Sequence, residues 1–186
     1  FDKDISLAIS EHYLPTGIDS RTPKKPFSIA LALADKIDTL VGFFGINQKP
    51  TSSKDPYALR RSALGIIKLL IDNNKKFNVK DLISYSISTH KNQGLKLPNE
   101  LLQKEVTDFL IDRLKYYMRD KKIRNDIIEA SINSHSFNDM KKVYSKAINF
   151  QNVISHEIGE SIISSYKRAL NTVSYTHLTL PTTPYV

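Results

Sequence analysis

Residues 27–46 restrict the fold of this chain more than any other stretch. They form a twenty-residue run whose only charged members are Asp35, Lys36 and Asp38. The run is apolar on nearly all sides at helical spacing, which predicts a buried, central helix. It has the length to span a bilayer, yet each of its three central charges would cost about 2.5–3.5 kcal/mol on insertion. A core helix is therefore expected, and no membrane association.

The next strong signal is the start of a second helix at Lys54-Asp55-Pro56. Asp55 suits an N-cap, and Pro56 suits the first helical position, where a missing N–H costs nothing. Leu59, Ala63, Ile66, Ile67, Leu70 and Ile71 then recur at helical spacing up to about residue 72. Further helices are predicted over residues 4–13, 79–90, 98–121, 125–133, 137–150 and 153–172, with turns near Pro15, Gly17, Asn47–Ser53, Asn73 and Gly94. No strand alternation and no internal repeat is present, so the predicted class is all-α.

The chain has no cysteine, which excludes a disulfide framework, a thiolate metal site and a cysteine nucleophile. Its six glycines form no phosphate-cradling loop. A formal charge of +8 and a pI near 9.5 create a field that draws polyanions. The five histidines are scattered, and none pairs with another at metal-ligand spacing.

Several side-chain groups invite a functional reading beside a structural one. Asp35 and Asp38, three residues apart on one helix, point to one side, as a metal or general-base pair would. The structural reading is the expected one: Asp35, Lys36, Asp38 and Asp55 make a charge network with Arg60 or Arg61, since buried charges are usually paired. Arg60 and Arg61 can clamp phosphate bidentately or tie two helices together. Adjacent residues face about 100° apart, so one arginine can take each task. The set Arg113, Lys115, Arg119, Lys121, Lys122 and Arg124, interleaved with Tyr116 and Tyr117, reads as an RNA surface or as a solvated helix face. Tyr166-Lys167-Arg168 is a smaller version of the same choice.

Three stretches carry a family resemblance: Ala8 through Pro15, Ala34-Asp35-Lys36-Ile37-Asp38-Thr39-Leu40, and Lys54-Asp55-Pro56-Tyr57-Ala58-Leu59-Arg60-Arg61. Weaker similarity continues through Phe109 to Leu114, Arg124 to Ile128 and Ser165 to Ala169. In order and spacing this text resembles the beta subunit of the bacterial two-subunit glycyl-tRNA synthetase. Glycine stands in the family pattern where this chain has Asn47 and Ser52, so the connection between the two helices is expected to differ in shape.

The resemblance implies the end of a helical HD-like domain over residues 1–74 and a helical body over 75–173. It implies a cytoplasmic protein that grips tRNA(Gly) and works with an alpha subunit in an alpha2beta2 heterotetramer. ATP and magnesium would be used by the complex through the alpha subunit, leaving no cofactor for this segment. His12 and Asp35 stand without a His-Asp dipeptide, so no metal is carried over. The expected RNA contacts are Arg60 and Arg61 first, then Lys54, Lys167 and Arg168, acting by positioning and phosphate neutralisation rather than bond chemistry. Two alternatives come from other classes: an HD-type metal phosphohydrolase, and a scaffold that docks the alpha subunit without touching RNA.

The ends bear on the domain reading. The chain starts at Phe1 without a methionine, which suggests a fragment. Residues 174–186 carry no formal charge, four threonines and two prolines, a sharp change from the lysine-rich text before them. They read as a foreign or frame-shifted tail, or as a disordered linker.

Overall fold

A computed structural model describes residues 2–74, 77–90, 94–133 and 139–178. Within them every regular element is an α-helix: α1 (Lys3–Glu11), α2 (Pro26–Gly45), α3 (Leu59–Asp72), α4 (Val79–Thr89), α5 (Asn99–Asp120), α6 (Asn125–Asn133), α7 (Met140–Ile154) and α8 (Glu157–Leu178). The fold is all-α, as the periodicity predicts.

Helix α2 is the hub and packs against α1, α3, α4 and α5. Its apolar faces explain this, because a helix that is hydrophobic nearly all round needs neighbours on several sides. Ala32, Leu40 and Val41 are wholly buried there. Helix α3 presents Ala63, Ile66, Ile67 and Leu70 at helical spacing, and α5 presents Leu102, Val106, Leu110 and Leu114. One continuous core runs from Ile29 to Ala147, so α4 to α7 share it with α2 and α3. The boundary expected near residue 74 falls in the connection between α3 and α4, where residues 75 and 76 lie outside the described residues.

The start of α3 departs from the sequence expectation. Asp55 and Pro56 precede the helix instead of opening it, because residues 55–58 turn first, with Ala58 N donating to Asp55 O at 3.2 Å. Ala58 then takes a left-handed conformation at φ 54° and occupies the N-cap position. Asp55 still caps at a distance: its two carboxylate oxygens accept from Leu59 N at 2.8 Å and Arg60 N at 3.0 Å. Two orphan donors of the first turn are thus satisfied by one side chain.

The end of α2 closes at Asn47. Asn47 adopts φ 65°, the left-handed conformation that glycine favours and asparagine tolerates. Its N–H donates to Phe44 O at 2.9 Å, and Gln48 N donates to Phe43 O at 2.8 Å. The helix end therefore closes through a left-handed residue that is not glycine.

At the far end, α6 and α7 pack together, α7 also touches α3, and α8 packs on α7. Gly159 makes the α7–α8 turn possible, since a β-carbon there would clash with the Val153 carbonyl. The spacing predicts helices over 137–150 and 153–172; α7 runs on to Ile154, and α8 begins only at Glu157. Phe137, placed by the sequence at the start of α7, lies outside the described residues. Helix α8 continues through residues 174–178, and residues 179–186 also lie outside them.

Candidate functional site

Two buried lysines organise the region around the singled-out charges. Lys36, in the middle of α2, is 4% exposed and donates from Nζ to Tyr13 O at 3.0 Å and His12 O at 3.3 Å. Lys68 of α3 donates to Ser20 O at 2.8 Å and to Ile18 O. Both ammonium groups thus hold the α1–α2 connection by its backbone carbonyls, which gives the buried amines their acceptors. Burial pulls the Lys36 pKa below its ordinary value, and the nearby Asp35 carboxylate opposes that shift.

The inter-helix ion-pair network expected from Asp35, Lys36, Asp38 and Asp55 takes a different form. Among the described residues, no ion pair joins these carboxylates to Arg60 or Arg61. Lys36 reaches backbone carbonyls instead of a carboxylate, and Asp55 caps α3. Asp38 meets the end of α4: Nε2 of His90, the residue just past the helix, lies 2.7 Å from its Oδ1, and Ser86 Oγ lies at 3.5 Å. Sequence reasoning missed His90 as this partner because 52 positions separate the two residues.

The arginine pair is divided. Arg60 is half-buried and donates to Thr51 O, so it closes the loop between α2 and α3. Arg61 is exposed and makes no hydrogen bond or ion pair to the described residues. It borders a cleft of about 330 Å³ together with Tyr13, Asp35, Lys36, Tyr57 and Ser62. Tyr57 is stacked on Phe43, with ring centroids 4.0 Å apart and planes at 21°. Sequence reasoning passed over both tyrosines as site residues; the signal available was their adjacency to the Lys54–Arg61 and His12–Pro15 text. Lys54 is exposed in the loop before α3 and is not among the cleft's lining residues.

Lys167 and Arg168 lie elsewhere, exposed on α8, where they border a second cleft with Arg124 and Glu160. The two clefts share no residue. The basic run on α5 and after it is largely engaged within the fold. Lys115 pairs with Glu129 at 2.8 Å, Arg124 with Asp126 at 2.6 Å, and Arg119 Nε donates to Asn125 at 3.0 Å. Arg113 lies over the rings of Phe109 and Tyr116, and Lys121 over Tyr117.

His12, Asp35 and Asp38 also border an apolar groove of about 600 Å³ between α2 and α4, with Leu31, Leu82 and Tyr85. No group of three or more His, Asp or Glu residues that could hold a metal is found among the described residues. No helix among them is long and apolar enough to cross a membrane.

Fold and site together define a basic, all-helical module with an arginine beside an aromatic-lined cleft. The family described as glycyl-tRNA synthetase beta subunit matches residues 1–133, and the chain belongs to that family. The chain is 37% identical over 172 residues to the glycine–tRNA ligase beta subunit of Ruegeria sp. (strain TM1040), covering 92% of the chain and 23% of that relative. It is 36% identical over 169 residues to the subunit of the same name from Rhodospirillum centenum, covering 90% and 23%. Against that of Cereibacter sphaeroides the identity is 36% over 167 residues, covering 90% and 24%. The chain thus spans about a quarter of the length of these relatives. The three sequence segments around Pro15, Asp35 and Asp55 point to the same family.

Proposed function

We propose that this segment helps to seat the acceptor arm of tRNA(Gly) while a partner alpha subunit joins glycine to it, using ATP and magnesium, in a cytoplasmic alpha2beta2 enzyme. The observation that supports this best is Arg61: an exposed guanidinium at a cleft mouth, with no partner among the described residues. Arginine matches a phosphodiester geometrically and is never deprotonated at ordinary pH. Lys54 on the preceding loop adds a nearby charge in sequence, and Lys167 and Arg168 supply a second basic patch. The contribution is positional and electrostatic, and bond chemistry belongs to the partner subunit.

The test is Arg61→Ala in the complete two-subunit enzyme. It should weaken tRNA binding and lower the slope of log K against log salt by about 0.7–0.9, the range for one phosphate left unneutralised on a single strand or a duplex. An unchanged slope with weakened folding would overturn this role for Arg61.

A scaffold role is favoured by a separate observation, the apolar groove between α2 and α4 with the exposed Leu31 and Tyr85 at it. Tyr85→Asp would then break co-purification with the alpha subunit while leaving RNA affinity intact.

A further inference from the structure

The Arg61 cleft has a composition that a phosphate-binding surface alone does not need. Its lining includes two tyrosines, a half-buried carboxylate and the hydroxyls of Thr16, Thr39 and Ser62. Tyr57 is 43% exposed, and the ring of Phe43 stacked on it, with planes 21° apart, holds it as a firm aromatic surface. Tyr13 is 69% exposed, and its carbonyl is held by Lys36, so its backbone is anchored although its ring is open. The Asp35 side chain accepts no hydrogen bond from the described residues; only its backbone carbonyl is used, by Thr39 Oγ1 at 2.8 Å. Formally, Asp35, Lys36 and Arg61 leave the cleft with one positive charge, which suits a single phosphodiester.

A duplex backbone would use the arginine and leave the rings and the carboxylate idle. An unpaired nucleotide uses all three. Its base has a π-face for a tyrosine, its phosphate meets the guanidinium, and its N–H edge can donate to a carboxylate. A carboxylate accepts only, so it favours the base that offers two adjacent donors, which is guanine through N1–H and N2–H.

We propose that this cleft takes one unpaired nucleotide, with the base on Tyr57, the base N–H edge at Asp35 and the phosphate at Arg61, and with guanine preferred. This rests on the RNA-seating reading above and assigns the cleft to a flipped or single-stranded nucleotide rather than to duplex backbone.

The experiment measures fluorescence-anisotropy affinities of the complete two-subunit enzyme for labelled RNA hexamers. The hexamers are a single-stranded uridine hexamer, the same with one central guanosine, and a self-complementary duplex. Tyr57→Leu should weaken the guanosine hexamer roughly ten-fold, the scale of one base stack removed, and leave the duplex unchanged. Tyr57→Phe should bind as the wild type does. Asp35→Asn should abolish the difference between the two single strands. Arg61→Ala should weaken the single strands whatever their sequence. If Tyr57→Leu and Asp35→Asn change nothing while Arg61→Ala weakens the duplex, the nucleotide cleft is wrong and the phosphate role of Arg61 stands. If Arg61→Ala also changes nothing, both fail. Circular dichroism melts of each variant separate weaker binding from weaker folding, and the binding losses support the proposal only in variants whose melts match the wild type.

Discussion

Gly65 of α3 lacks a β-carbon at the place where the end of the Lys36 side chain crosses from α2. A β-carbon at Gly65 would stand 2.6 Å from Lys36 Cε and 2.9 Å from Cδ, with Pro15 O at 3.4 Å. The glycine therefore serves close approach, not turning, and it leaves Lys36 a passage to the carbonyls of His12 and Tyr13. Gly65→Ala should displace the lysine and loosen the α1–α2 connection, at about 1–3 kcal/mol for overpacking a closed site. Urea unfolding monitored by circular dichroism measures this, and an unshifted midpoint would show that the lysine yields freely.

Lys36 also makes a pH prediction. Its folded pKa lies below the ordinary 10.5, chiefly because burial disfavours the ammonium form. The unfolded chain then binds more protons than the folded one between the lowered pKa and 10.5, so stability rises with pH across that window. Compared with Lys36→Met, the wild-type protein should gain stability as pH climbs towards 10.5 and level off above it. Paired denaturation curves across that range give the difference directly.

Tyr117 and Tyr144 should act in the opposite sense. Their rings lie 5.6 Å apart, and burial raises both phenol pKa values, with the Asp72 charge adding to the shift. A raised pKa contributes stability below the unfolded value of about 10 that is lost as pH rises through the folded pKa. Alkaline titration followed by ultraviolet absorbance should show these two phenols ionising above the ordinary value of about 10. Tyr117→Phe should make the fold less sensitive to pH above about 10.

Asp55 caps α3 from outside the helix, and the cost of its loss can be measured. Asp55→Ala leaves the N–H groups of Leu59 and Arg60 without their acceptor and should cost about 1–2 kcal/mol. Asp55→Asn keeps an acceptor oxygen and should cost less. Thermal melts of the two variants test the order.

Arg60 and Arg61 should separate in a similar pair of experiments. Arg60 is bonded to Thr51 O and Arg61 to no described residue. Arg60→Ala should lower stability by about 1 kcal/mol, the net worth of one hydrogen bond, whereas Arg61→Ala should leave the melting temperature unchanged. Equal losses would mean that the two arginines are not divided in this way.

The helical class and most element positions are legible from sequence because they depend on local periodicity. Residues 125–133 and the span near 79–90 show this, since their apolar spacing and flanking breakers are contained within a few turns. The family is legible too, from the text around Asp35 and Asp55, because ordered segments of that length identify a relative without any geometry. The start of α3 is placed too early by sequence because a capping aspartate and a proline look alike whether they lie next to the helix or reach it across a turn.

The partners of the charged side chains are not legible, because they depend on distances that only packing sets. From sequence, Asp35, Lys36 and Asp38 ask for arginines close by. In the folded chain Lys36 finds carbonyls 23 and 24 positions away, Asp38 finds His90 at 52, and Asp35 lines the cleft. Burial makes a charge take whatever polar partner comes within reach. Sequence determined that this chain is an all-helical member of its family with charges inside its central helix, whereas the packing of α1, α3 and α4 around that helix decided what each charge holds.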